Sequence, residues 1–231
     1  MSTSPAERGT VEIDATHRVS TLFERPQSAR AALVLAHGAG TGMEHPSMQS
    51  IAFGLAERGI ATLRYQFPYI ERGSRRPDPP ALCRATVRAA VGEASRRAPD
   101  LPLFAGGRSF GGRMTSQAQA ELPLPNVRGL VFFAFPLHPS GQAGTSRATH
   151  LFDIGIPMLF IQGTRDELAK LDLLEPLVAR LGARASLHLL ADADHSFRVP
   201  ARSGRESSEV QAELLDSLDE WLDRFCGDPQ S

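Results

Sequence analysis

Residues 103–114 read LFAGGRSFGGRM, an apolar run that ends in a cluster of glycines enclosing one serine, Ser109. Whether that serine sits on a strand-to-helix turn decides the fold. Gly107-Arg108-Ser109-Phe110-Gly111 matches G-x-S-x-G, which predicts a strand before it and a helix after it. On such a turn the serine backbone is strained, and its neighbours are glycine because larger side chains would strike the strand or the helix. The turn carries the Ser109 hydroxyl past the strand end to a helix N-terminus, where backbone amides favour developing negative charge. A plain glycine-rich bend fits the same letters, so the remainder of the chain must supply a base, an acid and an oxyanion site.

The chain has 231 residues, 42% hydrophobic and 22% charged, which is the balance of a soluble globular protein with one sizeable core. One domain is expected over residues 11–227, with a flexible N-terminus at 1–10 and a short tail at 228–231. The formal net charge of −1 creates no global field for nucleic acid or an anionic membrane, and neither is expected as a partner. Lys170 is the sole lysine, and the arginines are scattered rather than clustered. Cys83 and Cys226 are far apart and in no metal-binding spacing, as in a cytoplasmic protein with reduced thiols and no metal. The opening MSTSPAERGT lacks the apolar core of a signal peptide, and no run is long enough to span a membrane.

Short apolar runs alternate with longer amphipathic stretches, the pattern of a mostly parallel, about eight-stranded sheet with helices on both faces. VEID (11–14) and VSTLFERP (19–26) suggest an antiparallel edge. A buried strand is expected at 31–36, further strands at 60–67, 101–107, 127–136 and 156–162, and the alternating ASLHLLADADH (185–195) is the last one. Helices are expected at 46–58 with Gly59 as its stop, from Asp78 to about Arg97, and at 114–122 ended by Pro123. Residues 167–182 are also helical, with Pro176 as a break, and a final helix carries Val210, Leu214, Leu218, Trp221 and Phe225 on one stripe. Residues 68–80, PYIERGSRRPDPP, predict a surface loop, and the polar connection 137–155 holds no long helical pattern.

A serine needs a base, and the base needs an acid to hold its tautomer. His195, in DADHSF, follows the last strand, and Asp166, in IQGTRDEL, follows strand 156–162. Ser109, Asp166 and His195 therefore fall in that order at the C-terminal ends of three predicted strands. Asp166 also suits a helix N-cap, and Glu167, Asp192 and Asp194 are rival acids. HGAGTG (37–42) follows strand 31–36 and offers backbone amides for an oxyanion hole: Ala39 first and Gly40 second, together with the amide of Phe110. His37 is assigned to holding that loop by hydrogen bonds. The stretch lacks G-x-G-x-x-G and a lysine, which weighs against nucleotide binding.

With these residues the chain resembles the α/β-hydrolase superfamily over nearly its whole length. LVLAHGAG, LRYQFPY, GGRSFGGR, FIQGTRDEL and DADHSF are similar to the small, lidless branch related to dienelactone hydrolases. The resemblance implies a Ser109–His195–Asp166 triad and an eight-stranded sheet. The short connection before strand 156–162, where the superfamily commonly inserts its lids, implies that no large lid is present. Dienelactone hydrolases proper carry cysteine at the nucleophile, so serine here shifts the expected substrate to a general carboxyl ester or related acyl compound. The expected activity is that of a serine hydrolase with an acyl-enzyme intermediate and no cofactor. A noncatalytic scaffold or an acyltransferase using the same triad are the alternatives, and dehalogenation would require a carboxylate in place of Ser109. Arg64, Arg108, Arg113 and Arg165 lie near strand ends without an assigned role, and Tyr65, Phe67, Tyr69 and Phe110 fit either an acyl pocket or the core. His138 and His150 lie in the polar connection and are given no role.

Overall fold

A computed structural model describes residues 6–226. The strands are β1 (Glu7–Glu12), β2 (Arg18–Glu24), β3 (Ala31–Ala36), β4 (Ile60–Tyr65), β5 (Leu103–Arg108), β6 (Val127–Phe133), β7 (Met158–Gly163) and β8 (Ala185–Leu190). They form one sheet in the order β1-β2-β4-β3-β5-β6-β7-β8. The β1–β2 and β2–β4 pairs are antiparallel and the others are parallel. The helices are α1 (Pro46–Glu57), α2 (Pro68–Glu71), α3 (Pro80–Arg97), α4 (Phe110–Glu121), α5 (Leu171–Leu181) and α6 (Ser207–Cys226).

Strands β3, β4 and β7 are buried along their whole length, which explains their continuous apolar runs. Alternation divides their side chains between two cores. Ala32, Val34, Phe132 and Phe160 meet Val87, Met114 and Leu174 on the side of α3, α4 and α5. Leu33, Leu35, Phe133 and Ile161 meet Leu55, Leu214, Leu218 and Trp221 on the side of α1 and α6. The stripe on α6 thus faces the sheet, with Trp221 edge-on to Phe104.

The winding of the sheet fixes where a site can form. From β3 the chain passes through α1 to β4 on one side, then through α3 to β5 on the other side of β3. The order reverses there, so the loops after β3 and β5 diverge and leave a crevice at the carboxyl ends of the strands. Residues 37–42 and Ser109 occupy those two loops.

Several expected boundaries require correction. β1 starts at Glu7, within the segment 1–10 expected to be flexible, because its polar residues still pair in the ladder with β2 from Glu7↔Phe23 to Glu12↔Arg18. The tail expected at 228–231 lies outside the described residues. Residues 68–80 are not all surface loop: Pro68 begins the single turn α2, and Pro68 and Tyr69 are buried. Helix α4 starts at Phe110 rather than Met114, set by the turn at Ser109 despite the poor helix propensity of its glycines. α5 starts at Leu171 and runs through Pro176; the proline forfeits one bond in the second turn, while Leu174, Leu177, Val178 and Leu181 bury around it. The last strand ends at Leu190, ahead of the turn at Asp192 (φ 59°). The connection between β6 and β7 carries a 3-10 stretch, Ser146–Asp153, which buries Ala148 and Leu151.

Candidate active site

Ser109 is the N-cap of α4, with φ 50° and ψ −114°, a conformation costly for any residue with a Cβ. Its N–H donates to the Phe133 carbonyl at 2.9 Å, and its own carbonyl accepts from Arg113 N at 3.1 Å. The turn is pinned on both sides. A Cβ on Gly107 would lie 2.5 Å from the Ala36 carbonyl oxygen, and one on Gly111 2.6 Å from that of His37. Both glycines are therefore required by the approach of the turn and of α4 to β3.

His195 Nε2 lies 2.8 Å from Ser109 Oγ, and His195 Nδ1 lies 2.7 Å from Asp166 Oδ2. The Asp166 side chain is fully buried, while that of His195 is 26% exposed, so the acid is dry and the base reaches the surface. Asp166 Oδ1 accepts from Leu168 N at 2.8 Å, and Oδ2 also accepts from Gln162 Nε2. These bonds orient the carboxylate that orients the imidazole. Asp166 caps no helix, because α5 begins only at Leu171, with Lys170 as its N-cap.

The rival acids are elsewhere. Glu167 is exposed, and so is Asp192. Asp194 spends Oδ1 on the backbone N–H groups of Ser196 (2.7 Å) and Arg198 (3.0 Å), and so shapes the loop that carries His195. That loop is braced from the sheet: the Arg108 guanidinium donates to the His195 carbonyl and to Ser47 Oγ, both at 3.3 Å.

The loop after β3 is held by two aromatic-rich contacts. His37 is fully buried, and burial pushes its pKa down to about 4, so it is neutral at physiological pH. Its Nδ1–H donates to the Gly38 carbonyl at 2.7 Å, and Nε2 accepts from Phe67 N at 3.1 Å. The Tyr69 hydroxyl donates to the Ala39 carbonyl at 2.8 Å. Among the described residues no hydrogen bond takes up the N–H of Ala39 or Gly40. The Phe110 N–H opens α4, where an amide has no partner within its helix.

Three supporting roles went unread in the sequence. Gln162 is a buried polar residue in the apolar strand β7, and that mismatch was a usable signal. Tyr69 was concealed because proline and charge around it suggested a loop. The brace by Arg108 had no signal at all, since it depends on the path of a distant loop. Tyr65, Phe67 and Tyr69 are fully buried in the core rather than lining an acyl pocket, and Phe110 packs edge-on to Phe67 and Tyr69. Arg64 is buried against the Met43 carbonyl and Glu24. Arg165 is exposed. His138 is buried, with Nε2 accepting from Lys170 N at 3.3 Å, and supports the chain before α5. Among the described residues no group of three or more histidine, cysteine or acidic side chains is placed to hold a metal ion. No helix among them is long and apolar enough to cross a membrane.

A hydroxyl, an imidazole and a buried carboxylate in series can move a proton off the hydroxyl and keep the resulting imidazolium compensated. Three solved structures share the architecture. A serine hydrolase homologue from Coxiella burnetii matches with a TM-score of 0.74 at 18% identity, over 94% of this chain and 100% of that one. A lidless serine hydrolase from Xanthomonas campestris matches at 0.73 and 20% identity, over 94% and 95%. A dienelactone hydrolase from Anabaena variabilis matches at 0.74 and 20% identity, over 96% and 99%. At these identities the likeness is one of fold. A family model described as an alpha/beta hydrolase domain matches residues 29–223, and the chain belongs to that family.

Proposed function

We propose that the protein is a serine hydrolase of small carboxyl esters or related acyl compounds, with Ser109 as nucleophile, His195 as general base and Asp166 as the acid behind it. The observation that carries this reading is the unbroken series Ser109 Oγ–His195–Asp166, at 2.8 and 2.7 Å, anchored on a carboxylate without solvent exposure. His195 Nε2 takes the Ser109 proton as Oγ attacks the acyl carbon, and the carbonyl π pair moves onto oxygen. The amides of Phe110 and Ala39, with Gly40 as second choice for the loop donor, stabilise that oxyanion. Collapse of the tetrahedral species breaks the ester C–O bond, and His195 passes its proton to the departing alkoxide. Water then attacks the acyl carbon as His195 takes its proton; collapse breaks the bond from that carbon to Ser109 Oγ, His195 returns the proton to Oγ, and the acid product leaves. Asp166 stays ionised throughout and compensates the imidazolium. The free thiols of Cys83 and Cys226 fit a reducing compartment, and we place the protein in the cytoplasm.

Purified wild type is expected to hydrolyse short acyl esters and to be labelled by a serine-reactive fluorophosphonate. Ser109→Ala is expected to lower turnover by at least about 10³-fold and to abolish labelling. A folded wild type that shows neither turnover nor labelling rejects the proposal and leaves a noncatalytic binding role.

A further inference from the structure

A cleft of about 580 Å³ lies between α3, α4 and the 3-10 stretch Ser146–Asp153, and its lining includes Arg84, Arg113, Arg147, His150, Glu121 and Asp153 but none of Ser109, His195 or Asp166. That volume suits a small organic ligand. Its charges are unevenly paired. Arg84 grips Glu121 through two bonds of 3.0 Å, and Arg88 faces the same carboxylate, so Glu121 is spent. Arg113 and Arg147 form no ion pair among the described residues, and no hydrogen bond to protein takes up their guanidinium nitrogens there.

Arg113 is held in place nonetheless. Its guanidinium sits over the Phe110 ring, 5.7 Å from the centroid, and its Nε is buried without a partner. Burial and the charge of Arg147 both work against its protonated form. His150 adds no third positive charge: Nε2 lies 2.7 Å from Ser116 Oγ, and burial together with Arg113, against the charge of Asp153, pushes its pKa down to about 4. Two cations share a half-buried wall, and among the described residues neither is ion-paired with Asp153, the remaining carboxylate of the cleft; their mutual repulsion is unfavourable in the free protein and is relieved by an anion that meets both. A charge near −2 matches the pair, and guanidinium forks fit tetrahedral oxyanions.

We propose that this cleft binds a phosphate-bearing small molecule, with its phosphoryl group held by Arg113 and Arg147. The site is independent of the acyl chemistry assigned to Ser109. Calorimetric titration with inorganic phosphate, with succinate as a dianion of different geometry, tests it on wild type, Arg113→Met, Arg147→Met and Ser109→Ala. Saturable phosphate binding is expected in wild type and Ser109→Ala, weakened at least about tenfold in each arginine variant. Should Arg113→Met fail to fold, Arg147→Met, on the 3-10 stretch of the connection between β6 and β7, carries the test. The proposal is overturned if wild type shows no saturable phosphate binding, or if the arginine variants bind as wild type does. It is equally overturned if Ser109→Ala loses binding, or if succinate binds as tightly as phosphate.

Discussion

Two serine–histidine pairs lie on or beside helix α4, and by distance alone they are twins: 2.8 Å for Ser109 with His195, and 2.7 Å for Ser116 with His150. Their surroundings differ in every respect that matters to chemistry. Ser109 occupies the strained N-cap, where open amides gather, whereas Ser116 is buried within the helix and its hydroxyl also donates to the Arg113 carbonyl at 2.9 Å. Behind His195 stands a buried carboxylate bonded to its ring; at His150, burial and the Arg113 cation outweigh the charge of Asp153. A carboxylate favours the imidazolium that a general base must become, and a neighbouring guanidinium opposes it. A hydrogen bond between the right two side chains is thus not a catalytic site. The third group and the free amides are what set the Ser109 pair apart.

The largest effect that would break this contrast is at Asp166. Asp166→Asn keeps the shape of the side chain but removes its charge and its preference for a donated Nδ1–H. The expected result is a fall in kcat of about 10³- to 10⁴-fold in steady-state ester hydrolysis. Ser116→Ala, which disrupts the other pair, is expected to leave turnover within about twofold. Equal losses in the two variants would mean that the pairs are not functionally distinct.

The contrast also explains how much was legible in the sequence. The meeting of Ser109, Asp166 and His195 at one sheet edge was legible because each follows a parallel strand, and parallel strands deliver their C-terminal ends to one edge. The loop 37–42 was readable for the same reason. The turn α2 was not, because proline and charge dominate residues 68–80 while Tyr69 is held by long-range packing and by its bond to Ala39. The early start of α4 was hidden because local propensity disfavours Gly111 and Gly112, whereas contact with β3 demands a residue without a side chain at 111. His150 and Ser116 are 34 residues apart, in a connection and a helix that no periodicity joins.

A smaller effect separates the pairs through pH. The folded pKa of His150 is about 4, against 6.5 for the free side chain, and His37 behaves alike. Each group binds fewer protons in the folded state than in the unfolded state between those values. The stability associated with neutral burial is therefore fully present above about pH 6.5, and it is lost as pH falls toward 4. Thermal melts across that window are expected to show a declining Tm in wild type. The decline should be shallower in His150→Gln, which has no proton to gain there. An unchanged slope would remove His150 from the structural role that sets it apart from His195.

The smallest effect is expected at Arg108, and it sharpens the comparison by setting one arginine against another. Arg113 acts on His150 through its charge, whereas Arg108 acts on His195 through its backbone, with bonds of 3.3 Å to the His195 carbonyl and to Ser47. Bonds of that length position the loop without polarising the ring. Arg108→Met is therefore expected to lower kcat by about tenfold, with KM little changed, because the imidazole is less often aligned with Ser109. If the brace acts through position alone, the pH dependence of kcat keeps its shape. A shifted pH profile would show instead that Arg108 acts through its charge, as Arg113 does on His150. A rise in KM with kcat intact would make it a substrate contact.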